Sequence, residues 1–183
     1  CKKFVSMKKK ILIIPSIIFF FILFVFFYLI IIDRNPSELP SALINKKAPI
    51  FKARTLLDDN IFVSEQEFGH ETIIVNFFAT WCKPCLDEHV HLMRLAKEKN
   101  LRIVGINYKD NPKKTIKWLK ELGNPYSNVL IDSDARLGIE WGVYGMPETF
   151  IVNSKGTIKY RLVGPITQRN YNAFNIKIKE SEQ

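Results

Sequence analysis

Cysteine is scarce in this sequence, with three in 183 residues, and one of them, Cys1, stands alone at the first position. The other two, Cys82 and Cys85, are separated by two residues. Small secreted domains that depend on disulfides need more cysteines at wider spacing, so a disulfide-stapled fold is excluded. We therefore expect Cys82 and Cys85 to react rather than to brace the chain.

Acidic residues are absent from the first 32 positions, which carry five lysines: Lys2, Lys3, Lys8, Lys9 and Lys10. These lysines supply more than half of the net charge of +9; without them, 22 of the 27 basic residues face 18 acidic ones and leave +4. The sequence also lacks an arginine-rich stripe interleaved with aromatic residues. Nucleic-acid binding is therefore not indicated.

Charged residues are missing from Ile11 to Ile32, a run of 22 residues that could cross a hydrocarbon layer of about 30 Å as a helix. A signal peptide would have a shorter apolar core and a cleavage site with small residues, whereas this run meets Asp33. We interpret residues 11–32 as an uncleaved transmembrane anchor. The lysines before it predict a cytoplasmic segment at 1–10 and place the rest outside the cytoplasm, as a linker at 33–47 and a folded domain at 48–183.

The first position does not resemble a natural start, whereas Met7 followed by three lysines does. We interpret the first six residues as a start-site artefact. Lipid modification of Cys1 is not expected, because such a cysteine follows a signal run rather than preceding a span.

The middle of the chain predicts a βαβ unit. An apolar run at 72–79 has the length and β-branched content of a central strand. Leu86, Val90, Met93 and Lys97 then recur at helical spacing within residues 85–99, and 101–108 is again strand-like. The two strands are expected to be parallel.

The second half of the domain predicts further elements in order. Asn111-Pro112 is typical of a helix start and Gly123 of a helix end. A short strand at 129–131 and a short helix at 135–141 follow, then two strands at 148–152 and 157–163 joined as an antiparallel hairpin. Thr167 is expected to cap a last helix that extends to Ile178.

Trp81-Cys82-Lys83-Pro84-Cys85 lies where the central strand gives way to a helix. The N–H groups and the dipole at a helix amino end favour a thiolate at Cys82, which would attack a disulfide while Cys85 resolves the mixed disulfide. Glu88 follows Cys85 by three residues and shares its helix face, so it could accept the Cys85 proton. Spacing alone leaves an ordinary exposed glutamate equally open.

Paired cysteines have two other common uses, in zinc sites and in haem attachment. Half a zinc site would need His89 and His91 as further ligands, but His91 points away from the face that carries Cys85 and His89. Covalent haem attachment requires histidine after the second cysteine, and this chain has Leu86. We expect no metal and no cofactor.

The chain resembles the membrane-anchored thioredoxin-fold proteins called CcmG or DsbE, the thiol:disulfide interchange proteins of cytochrome c maturation. The resemblance is carried by stretches spread over the domain, at 40–44, 76–82, 88–89, 105–110, 118–126 and 142–150. It implies an α/β thioredoxin-like fold with a central mixed sheet flanked by helices. It also implies an additional helix and strand inserted between Asp110 and Trp141.

The resemblance also implies roles for individual residues. Pro147 would be a cis-proline facing the two cysteines, the alternative being an ordinary trans loop proline. The substrate groove would be formed by five residues: Trp81, Tyr144, Met146, Pro147 and Glu148. Glu88 and Glu148 would line an acidic groove beside the thiols. Asn76 stands where ordinary thioredoxins have a buried aspartate, which makes Glu88 the natural proton acceptor.

The function implied is the reduction of disulfides in apocytochrome c, or in a haem-ligation partner, by an inner-membrane protein that faces the periplasm. A membrane electron donor of the CcdA or DsbD type would reduce Cys82 and Cys85 again. Two alternatives stay open: a reductase for other exported proteins, and a module that binds apocytochrome or haem without turnover.

Overall fold

The computed structural model describes residues 2–31, 42–56, 58, 61–68, 71–99 and 101–182, and it divides into two compact units between residues 35 and 36. The first unit contains helix α1, Lys2–Ile31, with Pro15 inside it. Within the part of the chain that is described, no helix combines the length and the apolar character needed to cross a membrane. Ile32 of the predicted anchor and residues 33–41 of the predicted linker lie outside the described residues.

The second unit has seven strands and four α-helices among its described residues. In chain order they are β1 (Lys52–Arg54), β2 (Phe62–Ser64), β3 (Ile73–Phe78), α2 (Lys83–Lys99), β4 (Arg102–Tyr108), α3 (Pro112–Leu122), β5 (Asn128–Asp132), α4 (Arg136–Glu140), β6 (Glu148–Val152), β7 (Ile158–Val163) and α5 (Tyr171–Ser181). A 3₁₀ turn, Glu65–Phe68, follows β2.

The main sheet has the strand order β5-β4-β3-β6-β7. Strands β3, β4 and β5 are parallel, whereas β6 runs antiparallel to β3 and to β7. This confirms the predicted mixed sheet, the βαβ unit and the hairpin. Strands β1 and β2 form a separate antiparallel pair.

Strand β3 is the centre of the sheet, and all six of its residues are buried. Successive side chains of a strand point to opposite faces, so a strand covered on both faces is apolar on both, and five of the six residues of β3 are apolar. Ile74 and Phe78 contribute to the core on one face, which includes residues of α2 and α5. Val75 and Phe77 contribute to the core on the other face, around Trp141 and Phe150.

Helix α2 begins two residues earlier than predicted, and its buried face differs from the apolar pattern in the sequence. Leu86 and Val90 are exposed, whereas the buried positions include Cys85, Leu92 and Leu95. The buried face also contains Glu88 and His89. Because these residues are polar, the apolar pattern of the sequence does not reveal which face of α2 is buried.

The segment from Asp110 to Trp141 contains α3, β5 and α4. The Asn111 side-chain oxygen accepts hydrogen bonds from the N–H groups of Lys113 and Lys114, which confirms the predicted cap of α3. The last helix starts later than predicted, because Thr167 and Asn170 hydrogen-bond to each other and Asn170 is the cap.

The described residues at 42–47, in the predicted linker, make contacts with the domain. The Asn45 N–H donates to the Ile158 carbonyl, and the Ala48 N–H donates to the Gly156 carbonyl. These bonds join the segment before β1 to the β6–β7 hairpin.

Candidate active site

Cys82 and Cys85 form a disulfide at the amino end of α2, directly after β3, with an S–S distance of 2.08 Å. The Cys85 N–H donates to Sγ of Cys82 at 3.2 Å. Cys82 retains slightly more exposed surface than Cys85, at 6% against 1%. A helix amino end stabilises negative charge, so the site favours a thiolate at Cys82 when the disulfide is reduced.

The turn before Cys82 is joined to the loop after β4. Trp81 is exposed on the surface, and its Nε1–H donates to the Lys109 carbonyl at 3.2 Å. The Thr80 N–H donates to Oδ2 of Asp110. Asp110 was not singled out from the sequence, although it ends one of the stretches that carry the family resemblance.

Glu88 is completely buried, so the alternative of an exposed helix glutamate is wrong. Its Oε1 accepts a hydrogen bond of 2.9 Å from Nδ2 of Asn76, and its Oε2 accepts one of 2.9 Å from the Ile166 N–H. Burial raises the pKa of Glu88 to about 8, although the two hydrogen bonds act in the opposite direction. A carboxyl group with this pKa can both take up and release a proton near neutral pH.

Asn76 is held in place by two further residues that the sequence analysis missed. The Tyr126 hydroxyl donates to Oδ1 of Asn76 at 2.9 Å, and Nδ2 of Asn76 also lies 3.0 Å from Oγ1 of Thr149. Burial raises the pKa of Tyr126 well above its usual value, and the charge of Glu88 raises it further. The hydroxyl therefore stays protonated and remains a donor.

Glu148 is also completely buried, and it pairs with Arg161. Nε and Nη2 of Arg161 lie 2.7 and 2.6 Å from Oε2 of Glu148. In the pairing of β3 with β6, Phe77 is opposite Glu148 and Asn76 is opposite Thr149. Because side chains alternate along a strand, Glu148 lies on the face of Phe77, and the Asn76–Glu88 pair lies on the other face.

The two predicted acids are therefore not brought together. Glu88 and Glu148 approach opposite faces of the sheet, and neither has a solvent-exposed side chain. The structure therefore differs from the expectation that both line an acidic groove beside the thiols, because both carboxyl groups are buried. Each carboxyl group instead accepts backbone N–H groups: Glu88 binds the Ile166 N–H, and Glu148 binds those of Tyr144 and Gly145.

The loop before β6 contains a cis peptide bond between Met146 and Pro147, as predicted. Oε1 of Glu148 accepts hydrogen bonds from the N–H groups of Tyr144 and Gly145, at 3.1 and 3.3 Å. Nη2 of Arg161 donates to the Gly142 carbonyl, and the guanidinium lies 4.8 Å from the centre of the Tyr144 ring. Tyr144 is exposed and Met146 is partly buried.

Pro147 lies at the same end of the sheet as the cysteines. Phe77, near the end of β3, pairs with Glu148 at the start of β6, and Cys82 follows that end of β3. The two strands thus bring the cis-proline loop and the cysteine motif to the same end of the sheet.

The histidines of α2 have other contacts. Nε2 of His89 is 3.1 Å from the Gly123 carbonyl, and its ring packs edge-on against Trp118. His91 packs against Tyr171. Across the described ranges, no three His, Cys, Asp or Glu side chains are grouped so that they could hold a metal ion.

The chain is similar in sequence to a protein family and to several known proteins. A family model described as Redoxin matches residues 43–175. Proteins described as thiol:disulfide interchange protein DsbE match most of the chain. The one from Vibrio cholerae serotype O1 is 41% identical over 137 residues, 75% of this chain and 74% of its own. The one from Escherichia coli strain K12 is 43% identical over 136 residues, 74% of this chain and 73% of its own.

Solved structures share the fold at lower identity. A secreted thiol-disulfide isomerase from Corynebacterium glutamicum matches with a TM-score of 0.68 and 15% identity, over 82% of this chain and 95% of that one. A thiol:disulfide interchange protein of the thioredoxin family from Chlorobium tepidum matches with a TM-score of 0.59 and 22% identity, over 78% and 99%.

Proposed function

Because this chain belongs to the DsbE (CcmG) family of thiol:disulfide interchange proteins, we propose that it reduces a disulfide of apocytochrome c, or of a haem-ligation partner, during cytochrome c maturation. The chain is a thiol:disulfide oxidoreductase with a thioredoxin-like fold. The observation that supports the proposal is the Cys82–Cys85 disulfide at the amino end of α2 in a chain so similar to DsbE proteins.

The reaction is a pair of exchange steps. The Cys82 thiolate attacks one sulfur of the partner disulfide, a mixed disulfide forms, and the partner's other sulfur leaves as a thiolate. The Cys85 thiolate then attacks Sγ of Cys82 and releases the partner's second thiolate. Two electrons pass to the partner, which takes up two protons, and Cys82–Cys85 becomes a disulfide. A membrane electron donor of the CcdA or DsbD type returns two electrons.

Glu88 is proposed to move the proton of Cys85. Its carboxyl group lies one helical turn beyond Cys85, is completely buried and has a pKa of about 8. An acid with a pKa near that of a thiol is suited to accept the proton that Cys85 loses when it attacks.

The substrate groove is proposed to run along the edge of the sheet that carries both loops. Trp81 and Tyr144 are exposed there, and Met146 and Pro147 lie between Tyr144 and β6. Glu148 contributes by holding the N–H groups of Tyr144 and Gly145.

We further propose that residues 11–32 anchor the chain in the bacterial inner membrane, with residues 1–10 in the cytoplasm and the catalytic domain in the periplasm. The proposal rests on the uncharged run from Ile11 to Ile32 and on the five lysines before it. An anchor raises the effective concentration of the thiols near partners in the same membrane.

Trapping the mixed disulfide tests the substrate. A full-length Cys85→Ala variant is produced in bacteria that assemble c-type cytochromes, the cells are quenched with acid, free thiols are alkylated, and captured proteins are identified by mass spectrometry. Capture of apocytochrome c or of a haem-ligation protein supports the proposal. The Cys82→Ser/Cys85→Ala variant is the control and should capture neither.

Other outcomes count against the proposal. Capture of other exported proteins alone would identify a general reductase. Full complementation of cytochrome c assembly by Cys82→Ser would instead indicate a binding module without turnover.

A further inference from the structure

Asp110 connects the loop after β4 with the turn that leads into Cys82. Its Oδ2 accepts a hydrogen bond of 2.5 Å from the Thr80 N–H, and its Oδ1 accepts one of 3.0 Å from the Thr80 hydroxyl. The neighbouring Lys109 carbonyl accepts the Nε1–H of Trp81. Thr80 and Trp81, the two residues before Cys82, are thus hydrogen-bonded to Asp110 and Lys109 in the loop after β4.

Asp110 is itself held in position. Nδ2 of Asn107, which is buried at the end of β4, donates to Oδ2 of Asp110 at 3.2 Å. Oδ1 of Asn107 in turn accepts a hydrogen bond of 2.9 Å from the buried hydroxyl of Thr115 in α3. The Asn111 N–H also donates to Oδ1 of Asp110. The carboxylate therefore joins the start of the inserted segment to the redox motif.

We propose that Asp110 is a positioning residue for Cys82: it fixes the Thr80–Trp81 turn so that the Cys82 sulfur stays against the N–H groups at the amino end of α2. The inference concerns the thiol chemistry and does not depend on which protein is the substrate. In the disulfide form the Cys82 sulfur lies 3.2 Å from the Cys85 N–H, and the proposal is that the turn keeps the sulfur at this position after the disulfide is reduced.

The hydrogen bonds to Asp110 favour its charged form. Partial burial raises its pKa, but the bonds from Thr80, Asn111 and Asn107 together bring the pKa below its usual value. Asp110 is thus a carboxylate at neutral pH and accepts charge-assisted hydrogen bonds, which are stronger than neutral ones.

Positioning and simple charge have opposite effects on Cys82. A carboxylate that acted only through its negative charge would disfavour the thiolate, so its removal would lower the pKa of Cys82. A carboxylate that positions the sulfur supports the thiolate, so its removal lets the sulfur leave the helix N–H groups and raises that pKa. A role limited to stability would leave the pKa of Cys82 unchanged.

The test uses the reduced full-length chain in detergent. The rate of alkylation of Cys82 by iodoacetamide is followed by mass spectrometry of its peptide from pH 4 to 10, which gives the pKa and the limiting rate constant of the thiolate. For Asp110→Ala we expect the pKa of Cys82 to rise by roughly one unit. We also expect a fall of up to about tenfold in the alkylation rate at pH 7, since the thiolate fraction falls with that shift.

Asn153→Ala is the matched control. The Asn153 side chain also accepts two backbone N–H groups, from Lys155 and Thr157. It lies at the opposite end of the sheet, because it follows Val152, which pairs with Ile73 at the start of β3. It should lower the melting temperature without moving the pKa of Cys82.

Two further variants keep the test decisive. Should Asp110→Ala not fold, Asp110→Asn keeps the shape and one acceptor oxygen, and it should shift the pKa of Cys82 in the same direction by a smaller amount. Thr80→Val removes the hydrogen bond from the Thr80 hydroxyl to Asp110. Combined with Asp110→Ala, it should add nothing to the shift in the pKa of Cys82.

An unchanged or lowered pKa of Cys82 in the folded Asp110 variants would overturn the proposal. Since alkylation requires no disulfide substrate, this outcome is separate from any failure of the proposed reductase function.

Discussion

Nδ2 of Asn76 donates a hydrogen bond of 2.9 Å to Oε1 of Glu88, and both side chains are completely buried. The polar residue in the apolar run of β3 and the acidic residue in the buried stripe of α2 therefore satisfy each other. Neither would be tolerated alone, because a buried polar group without a partner is costly. The pair places an ionisable carboxyl group inside the domain, one helical turn from Cys85.

Glu88→Gln should change the pH dependence of stability. The pKa of Glu88 is about 8 in the folded protein and 4.5 in the ordinary group. Between these values the folded chain retains a proton that the unfolded chain has released, so the unfolding free energy falls as the pH rises from about 4.5 to about 8. Glutamine does not titrate, and the variant should lack this loss of a few kcal/mol.

Urea denaturation of the oxidised protein from pH 4 to 9 measures this effect as the difference between parent and variant, in which other titrating groups cancel. A constant offset is expected as well, because glutamine cannot accept equally from Asn76 and the Ile166 N–H. Glu98→Gln, an exposed position of α2 paired with Arg94, is the control, and its difference curve should lack the change expected for Glu88→Gln. A flat curve for Glu88→Gln would contradict the prediction.

Tyr126→Phe should destabilise the domain by about 1–3 kcal/mol, because it leaves the buried Oδ1 of Asn76 without its donor. Tyr171→Phe is the matched control. The Tyr171 hydroxyl is buried and has no hydrogen-bond partner among the described residues, so its removal should change stability little. Urea denaturation measures the free energy of unfolding of both variants. Equal decreases in the two would show that the Tyr126–Asn76 hydrogen bond does not stabilise the domain.

Most of the fold could be predicted from local patterns. The apolar run of β3, the Asn111-Pro112 start of α3 and the turn after Val152 each depend on neighbouring residues, and the structure has these elements where they were expected. The position of Cys82 and Cys85 at a strand-to-helix junction follows from the same reasoning.

The polar contacts of the site could not be predicted in this way. Glu88 meets Asn76 and Ile166, which are 12 and 78 residues away in the sequence. Arg161 meets Glu148 across two adjacent strands. Sequence spacing places Glu88 on a helix face but does not show whether that face is buried, so the exposed alternative could be excluded only once the packing of α2 was known.

Gly105→Ala should destabilise the domain through overpacking. A Cβ at this position of β4 would lie 2.9 Å from ring atoms of both Phe78 and Tyr126, whose rings stack at 4.7 Å. Forcing these rings apart should cost about 1–3 kcal/mol. Gly145→Ala, where a Cβ would meet no atom within 4 Å, is the control and should unfold at nearly the parent urea concentration. Equal midpoints for the two variants would show that the rings can shift without cost.

Arg161→Met should be strongly destabilising, because it leaves the buried carboxylate of Glu148 without its positive partner. Breaking one side of a buried ion pair costs about 3–5 kcal/mol. The loop that carries Tyr144 and cis-Pro147 should loosen at the same time, since Arg161 also binds the Gly142 carbonyl and positions Glu148 beneath the Tyr144 N–H. Reduction of a protein disulfide should therefore slow in this variant.

A double-mutant cycle measures the coupling within this pair. Glu148→Gln keeps an oxygen for the two loop N–H groups but removes the charge, so Arg161→Met/Glu148→Gln should lose much less stability than the two single variants together. The exposed pair Arg94–Glu98 on α2 is the reference, and its coupling should be small because solvent screens an exposed ion pair. A coupling for Arg161–Glu148 no larger than this would mean that the buried pair does not hold the loop. The surface presented by Tyr144 would then depend on the backbone alone.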